Sequence, residues 1–156
     1  MQNKKIYNIK EVTEKIQSFC ALQDRCQWEV ENKMRDWGIE DDIIENILTD
    51  LILEKFIDEQ RFAESFCRGK FRIKRWGKVK IKNELKRRKI SESCINKGLE
   101  QIEEKEYYSI LEKLFEKKKN SLKDNNQFIR KGKTAKYLEQ KGFESNLIWE
   151  LINRDK

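Results

Sequence analysis

The chain has 156 residues, 37% of them hydrophobic and 40% charged, with 35 Lys and Arg against 28 Asp and Glu and a formal net charge of +7. It contains no histidine and no proline, and its four cysteines form no CxxC pair, so the common zinc sites and disulfide scaffolds are excluded and a helical, reduced, cytoplasmic protein without metal or cofactor is expected. The most apolar stretch, 43–56, is broken by charges and 1–12 lacks the apolar core of a signal peptide, so neither export nor a membrane span is expected.

Ile9, Val12, Ile16 and Phe19 step by three and four, the spacing of an amphipathic helix over 9–23, which Asp24-Arg25-Cys26 interrupts. A second helix over 27–36 carries Val30 and Met34 inward, and Gly38 suits the left-handed cap at its end. Glu40-Asp41-Asp42 puts negative charge at the positive dipole end of a third helix running to about Glu54. Asp58 then caps a long helix whose apolar stripe is Phe62, Ala63, Phe66, Cys67 and Ile73. After Gly77 comes a helix containing Ile81 and Leu85, and Ser91 caps the next. Tyr108, Leu111, Leu114 and Phe115 mark a further helix, 117–126 reads as a polar connection, and helices over 133–140 and 145–153 close the chain. One passage argues for strand: Lys70-Phe-Arg-Ile-Lys74 and Lys78-Val-Lys-Ile-Lys82 alternate around Gly77, the local pattern of a β-hairpin.

A repeat overrules that local pattern. Trp37-Gly38-Ile39, Arg88-Lys89-Ile90 and Lys141-Gly142-Phe143 recur at intervals of 51 and 53 residues. Five residues before each anchor's apolar residue stands Met34, Leu85 or Leu138; four and five after it come Ile43-Ile44, Cys94-Ile95 and Leu147-Ile148; eight and nine after it, Ile47-Leu48, Gly98-Leu99 and Leu151-Ile152. Offsets of four, five, eight and nine are one stripe of a helix, so each copy reads as helix, tight turn, helix, with room for one more helix per copy. Ile81 and Leu85 fall in the columns of Val30 and Met34 and of Thr134 and Leu138, where no alternation exists. The expectation is an all-α, elongated tandem array of three three-helix repeats, at 1–57, 58–104 and 105–156. Arrays of this kind stack their repeats for stability and offer an extended surface to a partner.

Charge is polarised along the array. From Arg68 to Ile90 there are twelve bases and one acid, Glu84, whereas Glu40 to Phe66 holds nine acids and two bases, Lys55 and Arg61. On the helix from Lys78, with Ile81 and Leu85 inward, Lys78, Lys82, Lys86 and Lys89 fall on one flank and Lys80 and Arg87 on the other. Such a density of like charge repels itself and is relieved by a polyanion or an acidic partner surface. The candidate contact residues are Arg72, Lys74, Arg75, Lys78, Lys80, Lys82, Lys86, Arg87, Arg88 and Lys89. Phe71 and Trp76, among these bases, fit either stacking on nucleobases or the core; Trp28, Trp37 and Trp149 read as packing or contacts between repeats. Catalysis finds little support, since there is no histidine, no glycine-rich phosphate loop and no nucleophile with a recognisable base.

Three passages together resemble the RecX regulators of the bacterial recombinase RecA: Leu53 to Phe66 (LEKFIDEQRFAESF), Lys78 to Ile90 (KVKIKNELKRRKI), and Lys133 to Ile152 with Tyr137-Leu138, Lys141-Gly142-Phe143 and Leu147-Ile148. The resemblance spans the chain from about Asp24 onward and implies a row of three-helix repeats. It further implies a non-enzymatic protein that lodges in the groove of the RecA filament on single-stranded DNA and restrains filament growth, ATP turnover and strand exchange, in recombination, DNA repair and the SOS response. Carried over by position, Lys74, Arg75, Lys78, Lys82, Lys86, Arg87 and Arg88 are its expected contacts, on a monomer that meets no membrane. The chain departs from the family's pattern at Cys26, where a serine cap is common, at Lys89, where glycine is usual, and at Gly77-Lys78, where the family has Gly-Pro. A helical protein that binds DNA or RNA directly is the alternative, and a passive scaffold a third reading.

Overall fold

The computed structural model describes residues 8–155; the segment 1–7, part of the stretch read above for a leader peptide, lies outside them. The described residues form nine helices and no strand: α1 Ile9–Leu22, α2 Gln27–Asp36, α3 Asp41–Leu53, α4 Glu59–Arg72, α5 Lys78–Arg87, α6 Glu92–Leu99, α7 Glu104–Ser121, α8 Gln127–Lys141 and α9 Ser145–Arg154. The stretch that alternates around Gly77 is therefore the end of α4, a turn and the start of α5: helical spacing buries Phe71 with Cys67 and Ile81 with Leu85, and leaves Ile73 and Val79, which strands would have put beside Phe71 and Ile81, exposed. The chain is an all-α, elongated array of helix triplets.

The phrase that recurs in the sequence is one C-terminal cap built three times. Gly38, Lys89 and Gly142 all have positive φ, at 81°, 59° and 98°. In each case the following apolar residue turns back: the N–H of Ile39 donates to Met34 O at 3.1 Å, that of Ile90 to Leu85 O at 3.1 Å, and that of Phe143 to Leu138 O at 3.2 Å. Donor and acceptor side chains are all buried, which is the hydrophobic contact that accompanies this six-to-one hydrogen bond. Lys89 takes the left-handed conformation without being glycine, at a cost of about 1–2 kcal/mol. We expect Lys89→Gly to stabilise the chain by about 1 kcal/mol, after the greater freedom glycine gives the unfolded state is subtracted. A thermal melt checks this, with Lys89→Ala beside it; an equal gain from alanine would mean relief of charge repulsion and not of backbone strain.

Several boundaries shift from expectation for identifiable reasons. Ile73 is 79% exposed and outside the core, because α4 ends at Arg72 and the chain turns away through Arg75 at φ 57°; Phe71 takes the inward place instead. In α7 the buried tyrosine is Tyr107, not Tyr108, since Tyr107, Leu111, Leu114 and Phe115 share one face. The polar stretch after Phe115 continues α7 to Ser121, and Asn126 caps α8 by accepting from the N–H groups of Phe128 and Ile129 at 2.9 and 3.3 Å, so α8 starts six residues before 133. Trp28 and Trp37 are half-buried, each packed on a core, whereas Trp149 is 40% exposed.

The buried residues form two cores. Val12, Ile16, Val30, Met34, Ile44 and Leu51 belong to one, confined to the first triplet. The second runs from Phe62 to Ile152 and so joins the second and third triplets through shared side chains, with the Phe71 and Tyr107 rings 5.8 Å apart and those of Tyr107 and Phe143 5.3 Å apart. Cys26, fully buried at the N-cap of α2, reaches into this second core; its N–H donates to Glu29 Oε1 at 3.2 Å, and burial pushes its thiol up to about 12. Asp24 and Arg61, 2.7 Å apart, tie the first triplet to the second at the surface.

Candidate functional site

The second and third triplets meet backbone to backbone. Gly77, the N-cap of α5, donates its N–H to Lys141 O at 2.7 Å, and Val79 donates to Gly142 O at 2.9 Å. A Cβ on Gly77 would stand 2.3 Å from the carbonyl carbon of Gly142, so the close approach itself demands glycine. Beside it the N–H of Lys78, at the position where the resembling family carries proline, donates to Tyr107 Oη at 3.0 Å, and Tyr107 donates onward to Glu144 Oε1. Burial, with that carboxylate second, raises the Tyr107 hydroxyl well above its ordinary range, so it stays protonated and able to donate.

This joint gathers cations from three elements. Lys74 and Arg75 come from the turn after α4, Lys78 and Lys80 from the first turn of α5, and Lys141 from the end of α8. Lys141 Nζ donates to Lys74 O at 3.0 Å, and its ammonium is held below the usual lysine range by burial first and then by the charges of Lys80 and Arg75. The Lys78 ammonium lies 4.7 Å from the Tyr107 ring, while Lys70 and Lys80 flank the Trp76 ring at 4.9 and 4.4 Å. Cations that converge in this way around the Lys141 ammonium mark a region of positive potential, where an anion is bound favourably.

The other sequence candidates divide by what holds them. Arg88 is turned inward: its side chain is 16% exposed, its Nη1 is 2.8 Å from Glu84 Oε2, and its Nε lies 4.0 Å from Glu29. Arg87 shares the same Glu84 oxygen at 3.0 Å, and the two arginines keep that carboxyl below its usual range. Arg72 faces Glu106 at 3.9 Å. Lys82 is half-buried, and Lys86 and Lys89 are exposed. Phe71 is core, at 1% exposure; Trp76 is half-buried between its two lysines. The spacing of residues along α5 could not show Lys141, which lies 61 residues beyond Lys80 and joins the cluster only through the contact of Gly77 with Gly142. Nor could it show Lys70, whose signal was proximity to Trp76.

Fold and site together define a helical-repeat protein with a basic surface spread across the joint between repeats. Two family models match the chain, "RecX, second three-helix domain" over 58–99 and "RecX, third three-helix domain" over 104–152, together more than half of its 156 residues. The chain belongs to the RecX family. It is 30% identical over 136 residues to the regulatory protein RecX of Oceanobacillus iheyensis, covering 87% of this chain and 50% of that protein. To the regulatory protein RecX of Clostridium tetani it is 33% identical over 134 residues, covering 85% of this chain and 59% of that one. The chain thus spans about half to three-fifths of the length of these curated relatives. The crystal structure of RecX from Lactobacillus salivarius superposes with a TM-score of 0.79 at 25% identity, over 94% of this chain and 95% of that one. A crystal structure of regulatory protein RecX with 20% identity shares the fold at a TM-score of 0.83, over 99% of this chain and 83% of that one.

Proposed function

We propose that this chain modulates RecA nucleoprotein filaments as a non-enzymatic, cytoplasmic monomer, lying in the filament groove and lowering ATP hydrolysis and strand exchange. The observation that carries the reading is the cluster of Lys74, Arg75, Lys80 and Lys141 at the joint of the second and third repeats, on a chain that belongs to the RecX family. The repeats are taken as 1–57, 58–104 and 105–156. Lys82, Lys86 and Lys89 extend the surface along α5, while Arg87 and Arg88 are taken up by Glu84 of the same helix, and Arg88 also faces Glu29 of α2. A long surface making several modest contacts holds a filament through high effective concentration, without any single strong site. No helix among the described residues is long and apolar enough to cross a bilayer.

The test is a titration of RecA ATPase on single-stranded DNA with the wild-type chain and with the Lys74, Arg75, Lys82, Lys86→Gln variant. Wild type is expected to lower turnover, and the variant to need about tenfold more protein, as loss of several surface charges to a charged partner entails. Where the lost charges meet phosphate, log affinity against log salt flattens by roughly 0.7 per contact on single strands. No effect of the wild-type chain at any ratio would defeat the filament reading and leave direct nucleic-acid binding in its place.

A further inference from the structure

A second basic surface lies on the third repeat, away from that joint. From Lys117 to Lys136 there are eight bases and one acid, Asp124, in the last turn of α7, the connection and the first ten residues of α8. Asp124 holds Lys133 at 3.0 Å, Asp155 holds Lys119 at 2.7 Å, and Lys118 lies over the Tyr137 ring at 5.0 Å. Lys117, Lys123, Lys131 and Lys136 make no ion pair among the described residues. Within this run of sequence Phe128 is 84% exposed, an arrangement that folding does not call for. One turn further along the same side of α8 stands Gly132, with nothing within 4 Å of where a Cβ would be. Glycine weakens a helix interior, and here no packing contact or positive φ requires it.

These features fit one ligand chemistry. Unpaired lysines on the same stretch as a bare aromatic ring supply what a single strand uses, cations for its phosphates and a π-face for a base, and the gap at Gly132 lets a flat group lie beside the ring. A duplex has its bases already stacked, and an acidic protein surface would match the lysines while leaving the exposed ring unexplained. We infer that Phe128, Gly132 and the flanking Lys123, Lys131 and Lys136 form a second contact for single-stranded nucleic acid, with a base stacked on Phe128 over Gly132. The inference rests on the reading of this chain as one that meets nucleic acid and does not depend on RecA.

The experiment is fluorescence anisotropy of a labelled oligo(dT) with the full chain and no RecA, beside a matched abasic phosphodiester strand. Phe128→Ala is expected to weaken oligo(dT) binding about tenfold, the effect of one lost stacking platform, and to leave the abasic strand unchanged. Lys123, Lys131, Lys136→Gln is expected to weaken both and to flatten the salt slope by roughly 2, at about 0.7 per contact. Gly132→Leu replaces glycine by a better helix former, so it should melt no lower than wild type and yet lose affinity for oligo(dT). Undiminished oligo(dT) binding by Phe128→Ala, or an equal loss on the abasic strand, overturns the inference. So does loss of a RecA effect in Phe128→Ala with oligo(dT) binding intact, which would make this face a protein contact. A chain that leaves RecA ATPase untouched would sink the filament reading alone, since the oligonucleotide results stand apart from it.

Discussion

Gly77→Ala is expected to cost about 3 kcal/mol and to lower the melting temperature by roughly 6–12 °C, one of the two largest effects a single substitution should have here. The added Cβ would stand 2.3 Å from the carbonyl carbon and oxygen of Gly142 and 2.4 Å from the N of Phe143. All three are backbone atoms, two of them inside the cap that ends α8, and none can swing aside as a side-chain tip would. The repeats would have to separate, losing the hydrogen bonds from Gly77 and Val79 to Lys141 O and Gly142 O. The same substitution at Gly69 or Gly132 meets open space inside a helix and should stabilise by about 0.5–1 kcal/mol. Three calorimetric melts decide the matter; a Gly77→Ala chain that melts with wild type would mean that the second and third repeats do not meet backbone to backbone.

Leu85→Asp is the second. The side chain is fully buried in the core that the second and third repeats share, so the change removes a leucine, at about 2–5 kcal/mol, and adds an unpaired buried carboxylate. That total approaches the whole stability of a small domain. Because one core serves both repeats, α4 to α9 should lose protection together, while the first repeat, with its own core, keeps much of its own. Amide hydrogen exchange read by peptide mass spectrometry separates the two regions. Protection lost over α4–α6 alone would show that the third repeat stands without the second.

What could be read from the chain followed from how local each cause is. The three caps were visible because a six-to-one turn needs only residues within six positions of one another, and the columns at Met34, Leu85 and Leu138 declare it even where lysine replaces glycine. Asp58 and Ser91 announced their helices for the same reason, and each side chain accepts from a backbone N–H three residues on. Tyr107 was passed over for Tyr108 because adjacent tyrosines on a charged helix differ only in which face the rest of the fold covers. The cation cluster at the joint was half visible: the bases of the second repeat stood out by number, but Lys141 enters through a contact between distant glycines, and Arg88 leaves because Glu84 and Glu29 occupy it. Composition counts charges without telling those that face a partner from those that hold a helix in place.

The core shared by the second and third repeats has a geometrical consequence. Two surfaces fixed to one stiff body act as a caliper, and a caliper selects for distance. The cations at the joint and the ring on α8 sit at a set separation and angle, so on the function proposed above a partner whose own charges recur at that interval would be favoured. A chain of freely hinged repeats would grip any polyanion about equally well and would measure nothing. The buried rings of Phe71, Tyr107 and Phe143 thus fix the spacing of the two proposed contact surfaces while lying in the core themselves.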